Sequence, residues 1–251
     1  ADAGFTGFTA SSASGGSAGI VPGQTGTTGF FDMGAGHPDL KVYQNFVLEA
    51  ATTVTYDTIT VANGGSLIVG AGSSVTVTGD ISVSGVTVNG VSAGGSLSFG
   101  TDSVINVGDE VLLSGKSTFT LGGATTLTVT NAVSLSGASV LLAQGKNART
   151  ASAGTGVTIH AGSMSIDTGS KLTADAQGYS GGYYGVWSGF GPGGAGAYYD
   201  GAGGGGHGGA GGYGVNGGNS LGGVSYDSSL QPVALGSGGG ANYNNTGGGR
   251  G

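Results

Sequence analysis

The stretch VTVTGDISVS, residues 75–84, alternates apolar residues with threonine or serine on both sides of a Gly-Asp pair. Period-two alternation with β-branched residues is typical of strands that bury one face, and Gly-Asp is a common turn signal. Similar runs recur at residues 58–61 and 126–129. The pattern predicts an all-β fold of short strands, built either as a sandwich or as a stacked coil.

An internal repeat favours the stacked coil. When the chain is offset by 30 residues, Leu67, Leu97 and Leu127 fall on one another. Two further apolar triplets align at the same offset: Val75, Ile105 and Leu135, and Ile81, Val111 and Leu141. A fixed period of this length indicates a chain whose turns stack and bury a shared core, because no single turn can bury its own apolar face.

A fourth copy of the repeat begins at Val157 and Ile159 and slips by about one residue before Met164 and Ile166. We therefore expect a right-handed parallel β-helix with turns of about 30 residues, since parallel crossovers are almost always right-handed. The alternative is a β-sandwich of hairpins, which would not need a fixed register.

The composition divides the chain into three regions. Residues 1–49 are expected to cap or wrap the first turn, residues 50–177 to form the β-helix repeats, and residues 178–251 to form a glycine- and tyrosine-rich segment. In this last segment, glycine runs either form a flexible linker or pack as extended segments close enough for backbone-to-backbone hydrogen bonds. Its many aromatic residues favour packing.

Composition also excludes several functional classes. With no cysteine among its 251 residues, the chain has no disulfide, thiolate zinc site or cysteine nucleophile. Six basic residues against thirteen acidic ones give a net charge of −7, which does not suit nucleic acid. No apolar run is long enough for a transmembrane helix. The three histidines lie far apart, so neither a metal nor a cofactor is predicted.

The glycine-rich segments resemble a known group of proteins. The stretches GGSL (64–67 and 94–97), VTGDISV (77–83), GAGGGGHGGAGGYG (201–214) and LGSGGG (235–240) carry the likeness. They resemble the large repetitive β-helical proteins that bacteria export to their surfaces. That group includes adhesins, autotransporter passengers, filament subunits and some polysaccharide-active enzymes, so the resemblance does not choose a function.

Exposed aromatic residues of the third region are the best candidates for binding. We expect Tyr183, Tyr184, Trp187, Tyr198 and Tyr199 to stack on sugar rings or to pack against another copy of the chain. The alternative is that these rings simply cover the glycine region.

No catalytic residues are predicted. Glycoside hydrolysis needs two facing carboxyl groups, and the repeat brings only Asp80 and Glu110 into equivalent positions. Both precede buried residues at turns, where acidic side chains commonly bond the turn itself. A threonine ladder of the kind that could bind ice is also not predicted, because the 30-residue offset places Asn106 and Gly108 on Thr76 and Thr78.

Together these features predict an exported structural or adhesive protein at the cell surface or outside the cell. It would self-associate as an oligomer, filament or stalk, with another copy, a glycan or another surface ligand as partner. The start at Ala1 suits a cleaved secretory leader, and the end at Gly251 lies inside a low-complexity run, as in a piece of a longer chain. The alternatives are a polysaccharide lyase or glycosidase and a passive spacer of a longer adhesin.

Overall fold

The fold was analysed in a computed structural model of the chain. It describes residues 29–32, 36–88, 90–146, 154–198, 201–214, 220–228, 230, 233–242 and 247–251. Within these residues the regular secondary structure consists of β-strands alone, and most of the strands pair in parallel. The predicted all-β class is therefore confirmed. The chain divides into two compact units: Ala1–Leu142 with Val157–Thr173, and Ala143–Gly156 with Ala174–Gly251.

The described residues of the first unit form eighteen strands. They are β1 (Phe30–Asp32), β2 (Asp39–Val42), β3 (Asn45–Leu48), β4 (Thr53–Tyr56), β5 (Ile59–Val61), β6 (Ser66–Val69), β7 (Ser74–Val77), β8 (Ile81–Ser84), β9 (Val86–Val88), β10 (Val91–Ala93), β11 (Ser96–Phe99), β12 (Val104–Val107), β13 (Val111–Ser114), β14 (Thr118–Leu121), β15 (Thr126–Leu135), β16 (Val140–Ala143), β17 (Thr158–Ile166) and β18 (Lys171–Thr173).

These strands form three parallel stacks. The first stack contains β2, β5, β8, β13 and the second half of β15, and the second stack contains β3, β6, β11, β14, β16 and β18. The third stack contains β4, β7, β12 and the first half of β15, and β17 pairs along the whole of β15. The chain visits the three stacks in turn and then returns to the first, which makes one rung. Stacked rungs of this kind are compatible with a β-helix.

The spacing between rungs corrects the predicted 30-residue repeat. Leu67 pairs with Leu97, as the sequence predicts, at a distance of 30 residues. Leu97, however, pairs with Phe119 and not with Leu127, which is a spacing of 22 residues. The extra length of the first interval comes from the antiparallel hairpin of β9 and β10, which lies between β8 and β11. The basic rung is therefore near 22 residues, and insertions lengthen it twice. The second lengthening lies between β16 and β17, because Thr126 pairs with Thr158 and Val140 pairs with Lys171.

The other two triplets behave in the same way. Their first two members pair as predicted, whereas the third members, Leu135 and Leu141, do not pair with the second. Near the end of the unit, the register between β15 and β17 shifts between Val129 and Ala132. The 30-residue offset places Val157 on Leu127, whereas the structure pairs Leu127 with Ile159 and Val133 with Met164. A one-residue shift is present, but the fourth copy starts two residues later than predicted and the shift has the opposite direction.

The core lies between the three stacks. Strand residues alternate in direction, and those that point inward bury against their equivalents in the rungs on either side. Burying a side chain of this size contributes about 1.5–3 kcal/mol. The inward-facing residues that are fully buried include Ile59, Leu67, Val75, Ile81, Leu97, Ile105, Val111, Phe119, Leu127, Val133 and Leu141.

Three tight corners between strands, at residues 70–73, 100–103 and 136–139, share one construction. A residue with positive φ, such as Gly72, Asp102 or Ala138, is followed directly by a buried serine. The hydroxyl of that serine donates a hydrogen bond to the carbonyl oxygen three residues earlier, over 2.7 Å from Ser73 and also 2.7 Å from Ser139. The buried carbonyl groups at the corners are therefore satisfied, as a closed core requires.

An aromatic residue covers part of the first rung. Strand β1 pairs antiparallel with β2, and its Phe31 lies 5.7 Å from the ring of Phe46 and 6.3 Å from that of Tyr56. Within the expected capping segment, residues 1–49, β2 and β3 belong to the first rung, and residues 1–28 and 33–35 lie outside the described residues.

The second unit is held together mainly by glycine backbone. Among its described residues beyond Ala143, the short pair β19 (Ala197–Tyr198) and β20 (Gly201–Ala202) are the strands that occur, and the other segments are irregular. Gly204 donates to Gly212, Gly211 donates to Gly223, and Gly223 donates back to Gly204, over 2.8–2.9 Å. Three segments thus hydrogen-bond to one another, which corresponds to the packed alternative and not to a linker.

Close backbone contact explains why these residues are glycine. A Cβ atom at Gly223 would overlap the carbonyl oxygen of Gly193, and one at Gly205 would overlap that of Ser237. Neither residue has a positive φ. Glycine is needed here for the missing side chain and not for unusual backbone angles.

We predict that Gly223→Ala destabilises the second unit. The new methyl group would push apart two hydrogen-bonded segments, at a cost of about 1–3 kcal/mol or more. Gly209→Ala is the matched control, because a Cβ there meets nothing within 4 Å. Urea unfolding of both variants measures the difference, and equal losses would contradict the close-packing explanation.

A second prediction concerns pH. The Asp167 carboxylate accepts hydrogen bonds from the Ser170 hydroxyl (2.6 Å) and the Gly137 amide (3.0 Å), and these bonds lower its pKa from the ordinary value of 3.8. A lowered pKa stabilises the fold above the ordinary pKa, and this contribution is lost as pH falls through the folded value. Asp167→Asn should therefore flatten the loss of stability below pH 3.8.

The control for this prediction is Glu49→Gln, since the structure shows no side-chain hydrogen bond for the exposed Glu49 among the described residues. Urea midpoints measured across the acidic range should keep the wild-type slope in the control. The same slope in Asp167→Asn would show that the corner bond does not couple folding to protonation.

Candidate interaction surfaces

A tight turn in the second unit presents three of the predicted aromatic residues. The amides of Tyr183 and Val186 each donate to the other residue's carbonyl over 2.8 Å, which closes a four-residue turn. Gly185, inside the turn, has a φ of +85°, which favours glycine. Tyr184 stands at its tip with 72% of its surface exposed.

Ring contacts hold this aromatic turn, residues 183–187, in shape. Tyr184 packs edge-on against Trp187, with ring centres 5.4 Å apart and planes at 74°. Tyr183 stacks on Phe190 at 6.1 Å and 15°. Such pairs are worth about 0.5–1.5 kcal/mol beyond the area that they bury. The turn therefore offers a pre-arranged aromatic surface, and Phe190 is a supporting residue that the sequence analysis missed.

The structure describes the side chains of only three of the five predicted residues. The backbone of Tyr198 lies in β19, paired with Gly201. The side chain of Tyr198, and all of Tyr199, lie outside the described residues. The prediction that these two tyrosines bind a ligand stays a prediction.

The carboxylate pair lies where the repeat places it. Ile81 pairs with Val111, so Asp80 and Glu110 occupy equivalent positions in adjacent rungs. The Asp80 carboxylate accepts a hydrogen bond of 3.0 Å from the backbone amide of Glu110. The structure thus gives Asp80 a role in joining two corners.

Two histidine–aspartate pairs were not predicted. His37 Nδ1 lies 3.3 Å from Asp57, and His207 Nε2 lies 3.4 Å from Asp227. Amide hydrogen bonds from Ala234, Ser228 and Val233 lower the pKa of Asp227. Across the part of the chain that the structure describes, His, Asp and Glu side chains form no group of three that could hold a metal ion.

The last rung of the first unit exposes apolar residues that point inward in earlier rungs. Met164, Ile166 and Leu172 are 39%, 44% and 42% exposed. Their register partners in the preceding rung are almost completely buried: Val133, Leu135 and Leu141. Among the described strands, β17 pairs with β15 alone and β18 with β16 alone. We call this surface the open end.

Among the described residues, no helix has the length and apolar character needed to cross a bilayer. Comparisons with protein-family models, curated proteins and solved structures found no match. Function is therefore inferred from the chain's own residues.

We predict that Tyr184→Ala exposes Trp187. Trp187 is the single tryptophan, so its fluorescence reports on the aromatic turn alone. Removing the ring that packs against it should shift the emission to longer wavelength and increase quenching by acrylamide. Tyr213→Ala is the control, since Tyr213 is equally exposed at 73% and has no ring contact among the described residues. A similar spectrum for both variants would show that the turn is not held by this pair.

Proposed function

We propose that this chain is a non-catalytic structural and adhesive protein that is exported to the cell surface or beyond and associates with copies of itself. In this proposal the first unit is a right-handed parallel β-helix. Three stacks of parallel strands support the β-helix, and the strong bias of parallel crossovers supports its hand. The interlocked hydrogen bonds of such stacks suit a structural role, because strands can leave only by breaking several bonds together.

The open end is the observation that carries self-association. It combines a row of exposed apolar side chains, Met164, Ile166 and Leu172, with strands that have a neighbour on one side only. An exposed edge of this kind is a template for pairing with another strand. A strand from a second copy would bury the apolar row and continue the hydrogen-bond ladder.

The adhesive part of the proposal rests on the aromatic turn. Tyrosine and tryptophan provide rigid contact surface with an apolar face and a polar tip, which suits sugar rings and protein surfaces. Tyr184 and Trp187 are already packed against each other, so a partner would lose little side-chain freedom in binding them.

We predict that Ile166→Asp prevents self-association. A carboxylate buried without a partner costs about 3–5 kcal/mol, which corresponds to a loss of at least about 100-fold in association constant. Sedimentation velocity over a range of concentrations measures the change, and negative-stain electron microscopy shows whether fibres disappear. Circular dichroism of the variant checks that the strands are still formed.

Leu230→Asp is the matched control. Leu230 is a leucine with 92% of its surface exposed outside the open end, so a charge there should leave association unchanged. Wild-type protein that remains a monodisperse monomer at high concentration would contradict the proposed self-association.

A further inference from the structure

The register seen in the structure determines which side chains are neighbours on the outward face of the third stack. Thr55 pairs with Thr76, Thr76 with Asn106, and Asn106 with Thr128. With a 30-residue repeat, Thr128 would lie on a different face from Thr76. The actual spacing places both threonines in one column, with Asn106 between them. Neighbouring side chains along the column are about 4.8 Å apart, the spacing of paired strands.

The face is hollowed into a shallow groove at this place. Thr76 and Thr78 line one side, Thr128 and Thr130 line the other, and Asn106 and Gly108 lie between them. The gap opens at Gly108, which has no side chain to fill the space between two threonines. A Cβ at Gly108 would overlap the carbonyl oxygen of Thr78, so the packing of the rungs keeps the gap open.

Hydrogen-bonding groups in the groove fall into two sets. The hydroxyl of Thr78 donates to Asp57 over 2.9 Å, and that of Thr130 donates to the carbonyl of Val107 over 3.3 Å. The side chains of Thr76, Asn106 and Thr128 have no hydrogen-bond partner among the residues that the structure describes. Two hydroxyls and one amide therefore stand in a row, ready to donate and accept.

The lining of the groove is uncharged, although the chain carries a net charge of −7. Two acidic groups beside the groove already accept hydrogen bonds: Asp57 from Thr78 and His37, and Asp109, which follows Gly108, from Asn131. His160 pairs with Thr128 and continues the column beyond the groove. The lining itself offers a charged ligand no counter-ion, and the net charge would repel an anionic one. Hydroxyls, an amide and threonine methyl groups instead match a neutral ligand that carries both hydroxyls and C–H surface.

We propose that this groove binds a neutral glycan. The Thr76, Asn106 and Thr128 side chains hydrogen-bond to successive sugar hydroxyls along the column, and the gap at Gly108 receives one sugar substituent. This site shares no residue with the aromatic turn or the open end, so it adds a third contact surface to the proposed function and does not depend on it.

Binding to immobilised neutral polysaccharides (a glucan, a mannan and a galactan) tests the proposal by surface plasmon resonance. Thr76→Val and Thr128→Val remove a hydroxyl at nearly constant volume, and each should weaken binding by about 3- to 10-fold, the worth of one hydrogen bond. Asn106→Ala removes both a donor and an acceptor and should weaken binding further. Thr120→Val is the control, because Thr120 lies on an outward position of the second stack.

Several results would overturn the proposal. Absence of binding to all three polysaccharides is one, and equal affinity of wild type and the three groove variants is another. Binding that Tyr184→Ala abolishes and the groove variants preserve would place the glycan on the aromatic turn instead. Thermal hysteresis of freezing without glycan binding would assign the threonine column to ice.

Discussion

Parallel pairing between successive rungs is the interaction on which the first unit depends. A rung of about 22 residues cannot enclose its own apolar side chains, because each strand contributes only two that point inward. Leu67, Leu97 and Phe119 are buried only because they lie on one another. The backbone register that joins them also determines which side chains meet on the outer surface.

The corners and the insertions follow from the same pairing. A corner must reverse direction without leaving a buried carbonyl unpaired, and a left-handed residue followed by a buried serine meets both requirements at Ser73 and Ser139. The β9–β10 hairpin leaves the line of the rung and returns to it, so that β8 and β11 keep their places in the stacks. Extra residues are tolerated wherever the flanking strands can still pair.

The second unit is also held together by backbone hydrogen bonds, but these join glycine-rich segments and not stacked strands. It has few large side chains to bury, and its glycine segments come close enough to bond backbone to backbone, as Gly204, Gly211 and Gly223 do. Both units therefore use backbone hydrogen bonds between segments that are distant in the sequence, and in the first unit these bonds also hold the buried side chains in register. Side chains are then available for contact with partners, which is how the aromatic turn and the threonine groove are placed on rigid supports.

The sequence alone determined the all-β class and the inward and outward faces of most strands. These are local properties, since alternation and turn residues can be recognised within a few positions. Sequence also placed Tyr183, Tyr184 and Trp187 near one another, because they lie within five residues. The tertiary structure alone decided the length of the rung, the column of Thr76, Asn106 and Thr128, and the pairing of His207 with Asp227. Which distant segments pair depends on which residues form insertions outside the stacks. A comparison at one constant offset counts an inserted hairpin, such as β9–β10, as part of the repeat.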